Sequence, residues 1–492
     1  MTTAFDPTAP HPRLALPRLV AFATPGLCIG ALAVGVGVYL PRYYASHFDM
    51  HLDIFGLHLA GIIVVGMAFG AVRLIDTLLD VAIGFAMDHT RTRLGRYRVW
   101  IAAGAPLLML PVFMLFIPQG SVGFGYLLGW LFLYYAGVSV LTLSHVSWAS
   151  VIAANYHERS RVFGAIQVVG VIGATAVLIL PIVAAKLTHL SGAGGVAPMG
   201  WFIFLAAPIG VALALATTRE PVVFDNSQTA FKLRDYWEMI SRPDMRRIIV
   251  ADFCLALGPG WMAALYLFYF HDARGFSFVN ANLLLLTYIV AGVPGAGAMS
   301  WVAIRLGKHR TLMAASTGYS LGLVAMLFLP KANFPLGAVF MFTMGFLASS
   351  FPLLDRAMVA DVGDAVRLEK GKQRVSLLYA MITTSQKVAL SGSIFLSFLV
   401  LGLIGYQAKE GAINTPAAIF GMQLVYIIGP VVFVMLGGAC FIGYKLDSKR
   451  HAEIRAQLAI RDAMIPEAAI LEGLDGGACA PGALIGPAAS PR

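Results

Sequence analysis

Long apolar runs separated by short polar or basic turns recur along the whole chain. Twelve can be delimited, at 19–44, 57–87, 99–117, 126–154, 162–185, 199–216, 248–270, 278–304, 311–330, 336–360, 375–404 and 417–444. A helix spans a hydrocarbon core about 30 Å thick with about 20 apolar residues. Each run therefore predicts a membrane-spanning helix, and the longer ones predict tilt or extension past the bilayer. The longest internal loop, 217–247, follows the sixth run. The predicted order is a polar Pro-rich lead (1–18), a six-helix bundle (19–217), a central loop (218–247), a second six-helix bundle (248–446) and a tail (447–492). No cleavage site precedes the first run, which is expected to remain as the first helix. Within the tail, 447–464 reads as a polar, partly amphipathic helix, and the Gly-, Ala- and Pro-rich stretch 473–492 reads as disordered.

Composition agrees with this pattern. The 492 residues are 59% hydrophobic and 12% charged, against about 25% charged in soluble domains. In such a chain a net charge of +10 is not a nucleic-acid footprint; it reflects loops that hold the protein's orientation. Cys28, Cys254, Cys440 and Cys479 form no CxxC pair, which gives neither a disulfide framework nor a metal site. With the N-terminus in the cytoplasm, the cytoplasmic segments hold 27 Lys and Arg, while the outer segments hold five: Arg42, Lys186, Arg274, Lys331 and Lys409. This asymmetry places both termini inside. In the central loop, 231–240 alternates Phe231, Leu233, Tyr236, Trp237 and Ile240 with charges, the pattern of a helix lying on the inner leaflet or of a packed linker helix.

The two halves share a turn. Arg93-Leu94-Gly95-Arg96-Tyr97-Arg98 follows the second helix, and Arg305-Leu306-Gly307-Lys308-His309-Arg310 follows the eighth, the second helix of the other half. The repeat points to a duplicated six-helix unit. Three basic residues, Arg73, Arg356 and Lys387, fall inside helices, and so do Asp76, Asp80, Asp252 and Asp355. Charges at membrane depth are costly and mark functional positions by default. Asp76 and Asp80, four residues apart, share one helix face, with Arg73 near it. Two carboxylates there bind a cation, accept a proton or pair with a base; a fixed ion-pair network joining helices is the alternative. Lys387 lies deep in its helix and needs a carboxylate partner, unless it snorkels to an interface. Asp252 either lines a cavity or ends its helix beside Arg246 and Arg247. Asp355 and Arg356 point about 100° apart and are cavity candidates, Arg356 through its fork of donors.

The series Arg73, Asp76, Asp80, Gly84, Asp88, Thr90, Arg91, Arg93, Gly95, Arg96, Arg98 and Trp100 resembles the signature of the glycoside–pentoside–hexuronide:cation symporters of the major facilitator superfamily, among them melibiose permease. Met358-Val359-Ala360-Asp361-Val362-x-Asp364, then Lys387 followed by 401–406, extend the resemblance across most of the chain. It implies an all-α membrane protein with twelve transmembrane helices in two pseudo-symmetric bundles, N-in and C-in. It also implies cation or proton coupling through Asp76 and Asp80, with Lys387 facing them across a central cavity and Arg73 beside them. The cytoplasmic turns (Asp88, Arg91, Arg93, Gly95, Arg96 and Arg98; Arg305, Gly307, Lys308 and Arg310) are expected to close the inner side through charge contacts, with Asp361 and Asp364 receiving them. The same arginines also act as topology determinants.

The chain departs from the family where a sugar would be held. Ser144 stands where a helix-four carboxylate is expected, Gln167 where a helix-five arginine is expected, and the first helix carries no acid. Ser144, His145, Trp148 and Gln167 remain as polar or aromatic cavity candidates, Trp148 either stacking on a sugar face or packing in the core. An amide before the second carboxylate is replaced by Leu79, and a helix-four hydroxyl falls at Leu141, beside Thr142. Losing two oxygen ligands favours H+ over Na+ as the coupling ion. The reading is a monomeric, multi-pass carrier of the bacterial inner membrane. It moves a small polar solute of the sugar or glycoside class, with no cofactor, no structural metal and no nucleic-acid partner. A lysolipid or amphiphile carrier on the same scaffold is the first alternative. A membrane enzyme lacks an acid beside Ser144 and His145, and a non-transporting sensor has no need of Asp76, Asp80 and Lys387.

Overall fold

A computed structural model of the chain describes residues 14–54, 57–90, 92, 94–152, 156–188, 196–220, 233–370 and 375–463. Arg91, Arg93, most of the lead and the 473–492 stretch lie outside these residues, as do the first two positions of the 231–240 segment; of Asp88 only the backbone is described. Among the described residues twelve helices are long and apolar enough to cross a membrane: Leu16–His47, Gly61–Met87, Tyr97–Phe116, Phe124–Ile152, Arg161–Ala184, Val196–Thr217, Pro243–Ala273, Phe278–Leu306, Lys308–Phe328, Phe334–Glu369, Leu377–Leu403 and Pro416–Ala439. They are called helices one to twelve below. Two further helices lie at the cytoplasmic side, Leu233–Ile240 in the central loop and Ser448–Ala463 in the tail.

Helix boundaries differ from the apolar runs where polar residues continue a helix or turns end one. Helix two starts at Gly61 rather than 57, because Asp53–Ile54 and Leu57–His58 form a two-residue antiparallel pair in the outer loop. Helix ten runs on to Glu369, beyond the run that ends at 360, carrying Asp361 and Asp364 on its cytoplasmic extension. The tail helix rests on that extension. Its Ile454 and Leu458 are buried, and Arg461 Nη1 donates to the carbonyl oxygens of Arg367 (3.0 Å) and Leu368 (3.3 Å).

The duplication is visible in the backbone. The first helix of each half passes through a π-helical segment, Gly35–Tyr39 in helix one and Phe268–Ala273 in helix seven. Such segments interrupt the i→i−4 ladder and recur at functional positions. Each lies toward the outer end of its helix, where the two halves meet.

Small residues set the closest helix approaches, as expected where helices pack without a hydrophobic driving force between them. A Cβ at Gly30 falls 1.9 Å from the Gly170 carbonyl oxygen, and one at Gly173 falls 1.9 Å from that of Leu27, so helices one and five touch through backbone. Between the halves, a Cβ at Gly66 falls 2.8 Å from Phe398 Cβ and one at Gly70 falls 3.0 Å from Phe395 Cβ, which seats helix two on helix eleven. Gly30→Val is accordingly expected to destabilise the N-terminal half by at least the 1–3 kcal/mol or so typical of overpacking, with a lowered melting temperature in detergent as the measurement.

Candidate functional site: an ion cluster joining the halves

Helix two brings Asp76 and Asp80 to one face, and helix eleven supplies Lys387 from the opposite half. Lys387 Nζ donates to Asp76 Oδ2 at 3.0 Å and also to Asp80 Oδ2. Ser139 Oγ of helix four donates to Asp76 Oδ1 at 2.7 Å and lies 3.5 Å from Lys387 Nζ. The Asp76 side chain is 1% exposed, and those of Asp80 and Lys387 are 19% and 21% exposed. Asp80 Oδ1 is buried without a hydrogen-bond partner among the described residues. The cluster therefore carries two carboxylates, one ammonium and one open acceptor, and it ties helices two and four of one half to helix eleven of the other.

Arg73 stands apart from this cluster. Its guanidinium lies over the Tyr135 ring, 4.7 Å from the centroid, and makes no ion pair with Asp76 or Asp80. Lys387 already occupies the inward faces of both carboxylates, so Arg73 finds its partner one turn further out, on an aromatic face. The helix-four hydroxyl comes from Ser139 rather than from position 141 or Thr142, whose Oγ1 is buried and unpartnered. Ser139 was not singled out in the sequence. Its signal was a hydroxyl one helical turn before Thr142 on the face that meets helix two.

Three expected cavity residues belong to the core of the N-terminal half instead. Ser144 is fully buried and donates back to its own helix, to Val140 O at 2.7 Å. His145 is fully buried, with Nε2 2.8 Å from Phe22 O. Trp148 is fully buried and packs edge-on against Phe22, centroids 5.0 Å apart. Helix one closes over this face of helix four and leaves no space for a solute there. Gln167 is exposed. Arg356 is exposed, while its neighbour Asp355 and Asp252 are buried in the C-terminal half.

The cytoplasmic charges find partners close by. Lys308 Nζ pairs with Asp361 at 2.6 Å, and His451 of the tail helix lies 3.0 Å from Asp364 and 3.4 Å from Asp361. Both acids are thus held within the C-terminal part of the chain, Asp361 by the Lys308 turn and both by the tail helix. In the first half, Arg96 Nε donates to Met87 O (2.9 Å) and Arg98 Nη2 to Leu215 O (2.8 Å). Arg305 lies over Trp301, 3.9 Å from the ring centroid, and Arg310 is exposed. Glu220, just after helix six, accepts from the backbone N–H groups of Arg96 (2.9 Å), Tyr97 (3.0 Å) and Arg98 (3.1 Å). A carboxylate on the N–H groups of a first helical turn stabilises the start of helix three. Gly95 is required beside it: its φ is 115°, and a Cβ there falls 2.4 Å from Glu220 Oε2. Gly307 holds the matching turn with φ 91°. Glu220→Ala is expected to cost about 1–2 kcal/mol, the scale of a lost helix cap, measurable as a lowered unfolding midpoint.

The halves are locked on the outer side instead. Arg42 pairs with Asp272 at 2.6 Å and donates to Leu267 O at 3.2 Å. Within the C-terminal half, Tyr406 Oη also donates to Asp272 at 2.8 Å and steadies it. Tyr39 Oη donates to Asn282 at 2.5 Å. Lys409 pairs with Asp49 at 2.7 Å, and His47 lies 2.9 Å from Glu410. The hydrogen bond from Lys409 holds the Asp49 carboxyl below its ordinary range. Among the described residues, hydrogen bonds and ion pairs between the halves lie at mid-membrane or on this outer side. These contacts close the outer side of the seam between the halves. An apolar pocket of about 440 Å³ opens between helices two, seven and eleven, with Met67, Leu74, Phe253, Leu257, Val388 and Phe395 among its lining residues.

Two six-helix halves, each opening on a π-interrupted helix and joined by buried charges, define a secondary transporter of the major facilitator fold. Residues 21–448 match the family model described as MFS/sugar transport protein, and the chain belongs to that family. It is 25% identical over 473 residues to an uncharacterized symporter, YnaJ, of Bacillus subtilis, covering 92% of this chain and 96% of the relative. It is 25% identical to the isoprimeverose transporter of Lactiplantibacillus pentosus, covering 84% and 85%. The fold is similar to that of the nucleoside transporter NupG, with a TM-score of 0.61 at 13% identity over 87% of this chain and 99% of that one. The protein is a multi-pass transporter of the inner membrane, not an enzyme.

Proposed function

We propose that the chain is a proton-coupled symporter of a small polar solute of the sugar or glycoside class, working as a monomer by alternating access. The observation that carries this reading is Lys387 held between Asp76 and Asp80 across the two halves. A proton on Asp80 removes one of the two charges that hold Lys387, which weakens the tie between helices two and eleven and changes which state is favoured. The favoured state then depends on the coupling ion, as symport requires. A proton is the better fit than sodium. Ser139 restores one oxygen ligand, but the ammonium already sits among these oxygens, and a metal ion beside it would meet a like charge at close range. Protonation asks only for an open carboxylate oxygen, as at Asp80 Oδ1. The sugar class rests on the family and on the relatives' names, since Ser144, His145 and Trp148 do not serve as its ligands.

A second reading, an amphiphile carrier, is favoured by the apolar pocket between helices two, seven and eleven, which suits an alkyl or aryl group better than a sugar ring. Thermal-shift binding of the purified protein against sugars, glycosides and lysolipids, with and without sodium and at two pH values, separates the two. The expected result is stabilisation by a sugar or glycoside that is pH-dependent and sodium-independent. Stabilisation by lysolipids alone overturns the sugar class, and a strict sodium requirement overturns the proton.

A further inference from the structure

The apolar pocket between helices two, seven and eleven has one charged end. With the N-terminus inside, helix two runs inward, and helices seven and eleven run outward. Leu74, Phe253 and Val388 therefore lie at the cytoplasmic end of the pocket, and Met67, Leu257 and Leu396 lie toward its outer end. Each of the three residues at the cytoplasmic end directly follows a charged one: Arg73, Asp252 and Lys387. The layer that holds the ion cluster thus borders the pocket on its inner side. In that layer the Asp80 and Lys387 side chains keep 19% and 21% of their surface exposed, and Arg73 is half-buried. Leu74, at the same end, is exposed. Toward the outer end helices two and eleven touch, with a Cβ at Gly66 falling 2.8 Å from Phe398 Cβ. The pocket is an apolar recess, closed toward the outside and exposed beside the charged layer.

The recess does not suit a sugar ring. Its one side-chain hydroxyl, Ser391 Oγ, donates to Gly70 O at 2.8 Å, and the other lining residues are apolar or glycine. Sugar hydroxyls placed there would lose their hydrogen bonds to water without replacement. A cavity of about 150 Å³ holds benzene, so one of about 440 Å³ takes an aryl group or a short alkyl chain. Its walls come from both halves, which is where alternating access places a solute. We infer that the recess is the aglycone site of a solute that joins a sugar to an apolar group, an aryl or alkyl glycoside. The aglycone fills the recess, and the sugar lies at the level of Arg73, Asp80 and Lys387. This class narrows the sugar or glycoside reading above and rests on it. A bound aglycone touches helix two of one half and helices seven and eleven of the other, beside the cluster that joins them.

The test is calorimetric titration of the full-length protein in lipid nanodiscs with matched methyl, butyl and phenyl glycosides of glucose, galactose, xylose and glucuronic acid. For a sugar that binds, the butyl and phenyl glycosides are expected to bind about tenfold or more tightly than the methyl glycoside, the scale of burying several methylenes. Gly392→Leu, which puts a side chain into the recess, is expected to bring that ratio near one. A Cβ at Gly392 meets Leu257 Cδ1 at 3.7 Å, an ordinary contact. Gly392→Ala therefore keeps the backbone in place and covers the case in which Gly392→Leu does not fold; it is expected to lower the ratio by about two- to fourfold, the share of one displaced methyl group. A ratio near one in the unmodified protein, or a ratio unmoved in the Gly392 variants, overturns the aglycone site and leaves the glycoside class standing. Binding of none of the glycosides overturns the glycoside class itself, and the aglycone site with it.

Discussion

Lys387→Ala is expected to abolish gradient-driven accumulation of the solute and to destabilise the protein. The ammonium is the partner of both Asp76 and Asp80, and Asp76 is buried in the membrane interior with only Ser139 left to it. Removing one member of a buried ion pair costs about 3–5 kcal/mol, because the remaining charge is left without compensation. The loss should appear as a large fall in melting temperature, and Asp76→Asn in the same protein should recover much of it, since a neutral amide needs no ammonium. Accumulation should not return in the double variant, because the charge whose release couples the halves is gone. Recovery of stability without recovery of transport is the pattern that separates coupling from a merely structural ion pair. A Lys387→Ala protein that accumulates normally would show that the cluster only fastens two helices together.

The second large effect is expected at the outer lock. Asp272→Asn removes the charge partner of Arg42 and weakens the acceptor of Tyr406, both in a layer that keeps the halves together on the outer side. Conformational couplings of this kind are typically about 1–3 kcal/mol, or roughly 5–150-fold in the ratio of two states. The population closed on the outer side should fall by a factor in that range. A cysteine introduced at Asn282, buried at the outer seam against Tyr39 of the other half, should then react faster with a membrane-impermeant reagent added from the outer side. Unchanged labelling in Asp272→Asn would mean that the outer contacts do not set the equilibrium.

Much of this was legible in the sequence because a bilayer imposes simple rules. Twelve apolar runs, a basic bias and the R-L-G turns gave the helix number, the orientation and the duplication, since backbone satisfaction and charge placement leave few alternatives in lipid. The pairing of Asp76 and Asp80 with Lys387 was legible for the same reason: at membrane depth an ammonium needs a carboxylate, and few were on offer. Other features were not legible. Ser139 and Thr142 are both helix-four hydroxyls, and only the rotation of that helix against helix two decides which reaches Asp76. Ser144, His145 and Trp148 have cavity-like chemistry, but the covering of helix four by Phe22 and helix one puts them in the core. Asp361 and Asp364 were expected to receive charge contacts from the cytoplasmic turns, without a definite partner. Lys308 and the tail-helix His451 hold them, and spacing alone did not single out these partners. Glu220 gave only a faint signal, an acid just past a helix end. Its role depends on the Gly95 turn folding back beside it.

The central claim is that Asp80 takes up the ion that drives transport. The most direct measurement is solute accumulation in proteoliposomes under an imposed pH gradient, comparing the unmodified protein with Asp80→Asn. The unmodified protein should concentrate the solute only while the gradient lasts. Asp80→Asn should still bind the solute and exchange it across the membrane but fail to concentrate it. Full gradient-driven accumulation by Asp80→Asn would contradict the claim.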